Sequence, residues 1–156
     1  MSLMKLMPSE YKRYDSPGDG GPAPEQMPSS GNGFRKPAAV CLLDDDPSVL
    51  KATERLLQAA GWNVRGFTDP YVFLEHARRH QPPVVVIDIL MPEMNGLEVQ
   101  TRLGHIAPAT RVIVLTSKDD PEVRTKAIEG GAFAFFLKTM DNEQFLERIR
   151  AALAKN

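Results

Sequence analysis

The chain has 156 residues, of which 42% are hydrophobic and 25% are charged, a length and composition typical of one globular domain. Its 19 Lys and Arg against 20 Asp and Glu give a net charge of −1, which excludes a protein that binds nucleic acid mainly through a basic surface. The single cysteine, Cys41, excludes an internal disulfide and a cysteine-rich zinc site. No apolar run approaches the ~20 residues of a membrane helix, and the N-terminus lacks a secretory signal pattern. We therefore expect a cytoplasmic protein that contacts neither nucleic acid nor membrane directly.

The composition of residues 1–36 predicts a disordered N-terminal arm. Val, Ile and Leu are absent between Leu6 and Val40, whereas Gly and Pro recur throughout this stretch. Such a segment cannot bury enough apolar surface to offset the entropy that it would lose on ordering. We therefore expect the folded domain to cover residues 37–156, and no motif assigns a role to the arm.

From Pro37 onward, short apolar runs alternate with longer amphipathic segments. This alternation predicts strands over 38–43, 62–67, 84–88, 111–116 and 133–138. It predicts helices over 47–60, 70–80, 95–106 and 121–130, with a final helix that Asp141 caps. Five β-α units in succession indicate an α/β protein with a flavodoxin-like (βα)5 doubly wound parallel sheet and strand order 2-1-3-4-5.

Polar side chains stand at the carboxyl ends of four predicted strands. They are Asp44–Asp46 after the first strand, Asp88 after the third, Thr116 at the end of the fourth and Lys138 at the end of the fifth. In the predicted strand order these ends meet at one edge, where open α/β sheets bind their ligands. Clustered carboxylates are tolerated when a cation lies among them, and an oxygen-only site suits Mg²⁺.

Asp88 is the central carboxylate in this arrangement, and this position predicts that it acts as a nucleophile toward phosphorus. The equatorial oxygens of a transferred phosphoryl group would be stabilised by Mg²⁺ on one side and by Lys138 and the Thr116 hydroxyl on the other.

Four stretches of the chain resemble the receiver domain of bacterial two-component response regulators, and the resemblance extends over residues 38–154. The stretches are 40–47, 86–96, 114–117 and 135–138, of which Asp-x-x-Met-Pro-x-x-Asn-Gly is the most specific. The resemblance implies that Asp88 is the phosphoacceptor. It further implies that Asp45 binds Mg²⁺ directly and Asp44 through water, with Asp88 and the backbone carbonyl of Leu90 as further ligands.

The same resemblance implies a switch. Thr116 would hydrogen-bond a phosphoryl oxygen, Lys138 would pair with it, and Phe135 occupies the position of the family's switch aromatic. Because Thr116 would be drawn toward Asp88, we expect Phe135 to turn inward on phosphorylation and to fill the vacated space beneath the fourth helix.

The implied function is signalling. A sensor histidine kinase or a phosphotransfer protein would donate the phosphoryl group, and the surface of the fourth helix, fifth strand and fifth helix would change for an output partner that the sequence does not identify. A homodimer through that surface is one arrangement that the resemblance allows. Such a domain is not an enzyme, since it catalyses only its own phosphorylation and dephosphorylation.

Two positions depart from the family pattern. Thr139 follows Lys138 where the family usually has a proline in a cis peptide. A cis bond before a residue other than proline costs about 2.5–4 kcal/mol, which favours a trans peptide and leaves the position of Lys138 open. Phe135 replaces the more frequent tyrosine, so the switch aromatic has no hydroxyl.

Two other functions are compatible with part of the pattern. In a haloacid-dehalogenase-type phosphohydrolase, Asp44 would be the nucleophile and Asp46 the acid/base. That fold needs a further acidic pair after the lysine, but here only Asp141 follows closely. This alternative also gives no role to Asp88. A protein-binding platform that works without phosphorylation is disfavoured because every reacting group is present. His76 and His80 have the spacing of a zinc-binding pair on a helix, but without an evident third ligand we interpret them as a solvated helix face.

Overall fold

The computed structural model describes residues 38–154, in which five strands alternate with five helices. The strands are β1 (Val40–Leu43), β2 (Val64–Phe67), β3 (Val84–Ile87), β4 (Arg111–Thr116) and β5 (Ala134–Leu137). The helices are α1 (Pro47–Ala59), α2 (Pro70–His80), α3 (Gly96–Ile106), α4 (Pro121–Glu129) and α5 (Asn142–Ala154). None of these helices is long and apolar enough to cross a membrane. The predicted N-terminal arm lies outside the described residues.

All neighbouring strands pair in parallel, and the order in the sheet is β2-β1-β3-β4-β5. This is the predicted flavodoxin-like topology. At the carboxyl edge, Leu43 of β1 is in register with Phe67 of β2 and Ile87 of β3. The residues that follow β1, β3 and β4 therefore leave the sheet side by side.

Side-chain caps begin the first four helices at this same edge. In each case a carboxylate or amide oxygen accepts a hydrogen bond from a backbone N–H of the first turn, which satisfies donors that have no partner within the helix. Proline follows the cap in three of them, where its fixed φ suits the first turn. The capping residues are Asp46, Asp69, Asn95 and Asp120.

The core has two layers, one on each face of the sheet. Alternate strand residues point to opposite faces, so each strand supplies both layers. One layer joins the sheet to α2, α3 and α4, and it includes Cys41, Leu43, Phe73, Val85, Ile87, Leu103, Val114 and Phe135. The other joins the sheet to α1 and α5, and it includes Leu42, Leu57, Val86, Ile113, Leu115, Phe145 and Ile149.

The second strand is shorter than the sequence predicts, because its first two predicted residues have other roles. The Trp62 N–H donates to the carbonyl of Leu57 and closes the end of α1. The Asn63 carbonyl accepts hydrogen bonds from the N–H groups of Ala39 and Val40. Regular pairing of β2 accordingly starts at Val64.

The interpretation of His76 and His80 as a solvated pair is wrong for His76. Its ring lies 5.0 Å from the Phe67 ring and 4.4 Å from the His80 ring, centroid to centroid. Burial, together with the charge of Arg65 and the proximity of His80, lowers the pKa of His76 from 6.5 to about 3. His76 is therefore a neutral packing residue between α2 and β2.

Candidate functional site

Two of the predicted carboxylates are fixed by the strands that they follow. The N–H of Asp88 donates to the carbonyl of Leu43 at 3.0 Å, and the N–H of Asp44 donates to the carbonyl of Phe67 at 3.1 Å. Only 7% of Asp44 and 5% of Asp88 is exposed. Both carboxylates therefore lie in a recess at the carboxyl edge of the sheet.

The structure brings three carboxylates together. Asp44, Asp45 and Asp88 each offer an oxygen atom within 4.8 Å of the other two, and Asp45 faces solvent while Asp44 and Asp88 are buried. Three anionic oxygens with an open side suit a hard divalent cation that retains water ligands. The residues present therefore fit Mg²⁺, the ion that the sequence predicts.

Lys138 reaches this group from the end of β5. Its Nζ atom lies 2.8 Å from Oδ2 of Asp44 and 3.4 Å from Oδ2 of Asp88. The described residues contain no cis peptide bond, so the Lys138–Thr139 peptide is trans and the lysine still enters the site.

The ionisation of these groups is coupled. Burial raises the pKa of the Asp88 carboxyl, Asp44 raises it further, and the charge of Lys138 and the Leu90 N–H lower it in part. Burial alone would lower the pKa of Lys138, but its contacts with Asp44 and Asp88 outweigh that effect and raise the pKa. The lysine is therefore the internal counter-charge for the two buried carboxylates.

Thr116 ends β4 beside this cluster and is 1% exposed. Its carbonyl accepts a hydrogen bond from the Lys138 N–H at 2.8 Å. The backbone thus joins the ends of β4 and β5, and it places the threonine and the lysine on the same side of Asp88.

Phe135, the predicted switch aromatic, is buried, with 8% exposed, in the layer under α2, α3 and α4. The guanidinium of Arg124 from α4 lies 4.6 Å from the ring centroid. Phe136 points to the opposite face and packs edge-on against Phe145. The Phe135 ring therefore contacts α4 directly, and its inward turn on phosphorylation stays a prediction.

A feature that sequence reasoning missed is the loop between β3 and α3. The carbonyl of Ile89 accepts hydrogen bonds from the N–H groups of Met91 and Gly96, and the Leu90 N–H donates to Oδ1 of Asp88 at 3.3 Å. Met91 is buried beneath the loop. The Asn-Gly pair at its end was the available signal, since asparagine is a preferred helix cap and glycine allows a close backbone approach.

Two of the aspartates considered for a phosphohydrolase, Asp46 and Asp141, have structural roles. Asp46 accepts hydrogen bonds from the N–H groups of Ser48 and Val49 and caps α1. Asp141 accepts one from the Glu143 N–H at the start of α5. The carboxylates left in the site are the three that fit the receiver arrangement.

Comparison with known proteins agrees with this geometry. Residues 40–150 match the family model described as response regulator receiver domain. The chain belongs to this family.

Among curated relatives, the response regulator protein TodT of Pseudomonas putida is 36% identical over 116 residues, which cover 74% of this chain and 51% of TodT. The probable transcriptional regulatory protein TcrX of Mycobacterium tuberculosis is 32% identical over 120 residues, 77% of this chain and 51% of TcrX. The chain thus spans about half the length of these relatives.

A solved structure extends the likeness to three dimensions. The signal receiver domain of the putative response regulator NarL from Mycobacterium tuberculosis superposes with a TM-score of 0.69 at 25% identity, covering 78% of this chain and all of that one.

Proposed function

We propose that this receiver domain accepts a phosphoryl group on Asp88 in a Mg²⁺-dependent reaction. The observation that carries the proposal is the position of Asp88, which shares a recess with Asp44, Asp45 and the ammonium group of Lys138. A nucleophile that faces both a cation site and an ammonium group is suited to phosphoryl transfer, in which catalysis is mainly positioning and charge stabilisation.

The donor is the phosphohistidine of a sensor histidine kinase or of a phosphotransfer protein. A carboxylate oxygen of Asp88 attacks the phosphorus atom and forms an O–P bond. The P–N bond breaks, and its electron pair returns to the imidazole nitrogen of the donor. Lys138 favours the ionised, nucleophilic form of Asp88, and the Thr116 hydroxyl donates to an oxygen of the transferred group.

Mg²⁺ would be held by Asp44, Asp45, Asp88 and the backbone carbonyl of Leu90. When bound, it supplies positive charge that offsets the carboxylates and the phosphoryl oxygens. The protein's own part is to hold Asp44 and Asp88 in fixed positions through the backbone hydrogen bonds of the strand ends.

The output would pass through α4, β5 and α5 to a partner or to a second copy of the chain. Thr116 and Lys138 would link Asp88 to this surface, because Thr116 precedes α4 along the chain and Lys138 directly follows β5. Phe135 would carry the change to α4, because its ring lies 4.6 Å from the guanidinium of Arg124 on that helix.

The test is intact-mass measurement after incubation with acetyl phosphate and Mg²⁺. We expect a gain of one phosphoryl group in the wild-type chain and in Asp46→Asn, since asparagine also caps a helix. Asp88→Asn should gain nothing, and EDTA should suppress the gain in the wild type.

The same variants separate the proposal from the phosphohydrolase alternative. Loss of the phosphoryl gain in Asp46→Asn, together with its retention in Asp88→Asn, would assign the chemistry to Asp44 and overturn the receiver mechanism. A wild-type chain that gains no mass would leave only the phosphorylation-independent platform.

A further inference from the structure

The start of α3 lies in direct backbone contact with the phosphoacceptor. The Gly96 N–H donates to the carbonyl of Ile89 at 2.9 Å. A Cβ atom added at Gly96 would collide with the backbone carbonyl oxygen of Asp88, and it would come within 2.8 Å of the Ile89 Cα. The atoms in the way belong to the backbone, so no side-chain rotation can relieve the contact.

The requirement at this position is space and not backbone conformation. Among the described glycines, Gly61 and Gly131 have a positive φ, whereas Gly96 does not. An alanine could adopt the backbone angles of Gly96 but could not fit beside Asp88. Any side chain must therefore displace either α3 or the segment from Asp88 to Ile89.

The displaced segment carries one candidate metal donor, Asp88, and directly precedes another, the carbonyl of Leu90. Asp88 supplies a carboxylate oxygen of the cluster, and the loop that Gly96 closes contains Leu90, whose N–H donates to the Asp88 carboxylate. Met91 and Met94 are buried, with 8% and 3% exposed, so the loop cannot easily move outward. A side chain at residue 96 would therefore displace Asp88 itself.

We propose that Gly96 is a positioning residue for the phosphoacceptor. Because it has no side chain, α3 can lie directly against the Asp88 peptide, and this contact holds both the Asp88 carboxylate and the backbone carbonyl of Leu90 in position for Mg²⁺. This inference rests on the proposed function for its consequence in phosphorylation, but its consequence for metal binding can be measured separately.

Gly104 offers a matched control on the same helix. It is exposed, and a Cβ added there meets open space. Gly96→Ala and Gly104→Ala therefore make the same chemical change in α3, and only the first crowds Asp88.

The experiment compares both variants with the wild type in the full chain. Mg²⁺ affinity is measured from amide NMR shifts, and phosphorylation is measured by acetyl phosphate and intact mass. We expect Gly96→Ala to lose about 10–100-fold in Mg²⁺ affinity, the usual effect of disturbing groups that orient metal ligands, and to be phosphorylated correspondingly more slowly. Gly104→Ala should match the wild type in both measurements.

A merely structural role would lower the melting temperature of Gly96→Ala but leave the Mg²⁺ affinity of the folded protein unchanged, and that result would overturn the inference. If the wild type binds Mg²⁺ but accepts no phosphoryl group, the proposed function fails while the affinity comparison still decides the role of Gly96.

If Gly96→Ala does not fold, the Mg²⁺ titration of the wild type tests the inference instead. The NMR signal of the Gly96 amide should then shift with the same dissociation constant as that of the Asp88 amide, and the signal of the Gly104 amide should not shift. An unmoved Gly96 amide, or no Mg²⁺ binding at all, would contradict the inference.

Discussion

His76 illustrates how a titratable side chain can serve as an apolar one. Its ring stacks on that of His80 and meets that of Phe67 at a tilt, and its lowered pKa means that the folded state disfavours the imidazolium form. In the unfolded chain the same imidazole titrates near its ordinary pKa of 6.5. The unfolded state therefore binds more protons as the pH falls below about 6.5, and stability must decrease in that direction.

We expect the free energy of unfolding of the wild type to fall between about pH 6.5 and pH 5 by as much as about 2 kcal/mol more than that of His76→Phe, since one group contributes at most about 1.4 kcal/mol per pH unit. Urea unfolding at both pH values measures this difference. His105→Gln, a change on the exposed side of α3, should keep the wild-type dependence. Parallel curves for the wild type and His76→Phe would show that the folded state does not lower the pKa of His76.

At the level of single residues, the sequence predicts which groups meet but not how they pair. Strand-end placement is sufficient to bring Asp44, Asp88, Thr116 and Lys138 to one edge. It does not reveal that Lys138 lies closer to Asp44 than to Asp88, because that choice depends on the path of the loop after β5. The burial of His76 was missed for a related reason: helix periodicity identifies the most buried stripe but not its margins.

Helix α4 contributes few side chains to the core. Ala127 is its only buried residue, and Val123 is partly buried. Two polar contacts supplement this packing: Gln100 of α3 donates to the Ala127 carbonyl at 2.9 Å, and Arg124 lies over the Phe135 ring. The arginine is therefore a principal link between the exposed surface of α4 and β5.

A double-mutant cycle with Arg124→Ala and Phe135→Leu should give a coupling energy of about 0.5–1 kcal/mol, the usual range for a cation–π pair at an accessible site. Urea unfolding of the two single variants and the double variant measures it. Lys126→Ala, which removes a neighbouring positive charge on α4, should show no coupling to Phe135→Leu. Equal coupling for both helix residues would attribute the effect to the charge of the helix rather than to the ring contact.

Element order and topology follow from the sequence because the five apolar runs are short and separated by capped helices. The β2 boundary was wrong because Trp62 is a good strand residue by type, whereas in the structure its N–H donates to the Leu57 carbonyl at the end of α1. Local preference alone cannot decide such a competition.

For the whole molecule, the sequence places no Val, Ile or Leu between Leu6 and Val40, and the fully buried core of the described residues runs from Val40 to Ala152. Because the arm has almost no aliphatic side chain for a core and no candidate site residue, we propose that residues 1–36 are not needed for folding or for phosphorylation. A truncated chain that starts at Phe34 should melt within about 3 °C of the full chain, a difference of less than about 1 kcal/mol, and should gain the same phosphoryl mass. A clearly lower melting temperature after truncation would mean that the arm contributes to the stability of the domain.

The contact between α3 and the Asp88 peptide also determines the direction in which a disturbance can spread. On the α3 side the phosphoacceptor meets backbone with no spare volume, whereas α4, which follows Thr116 along the chain, has Ala127 as its single buried residue. A rigid neighbour and a loosely held one respond unequally to the same force, so most of the displacement appears in the loosely held one. We therefore expect sequence changes in α4 to alter the sensitivity of the response, whereas changes at the start of α3 should weaken phosphorylation itself.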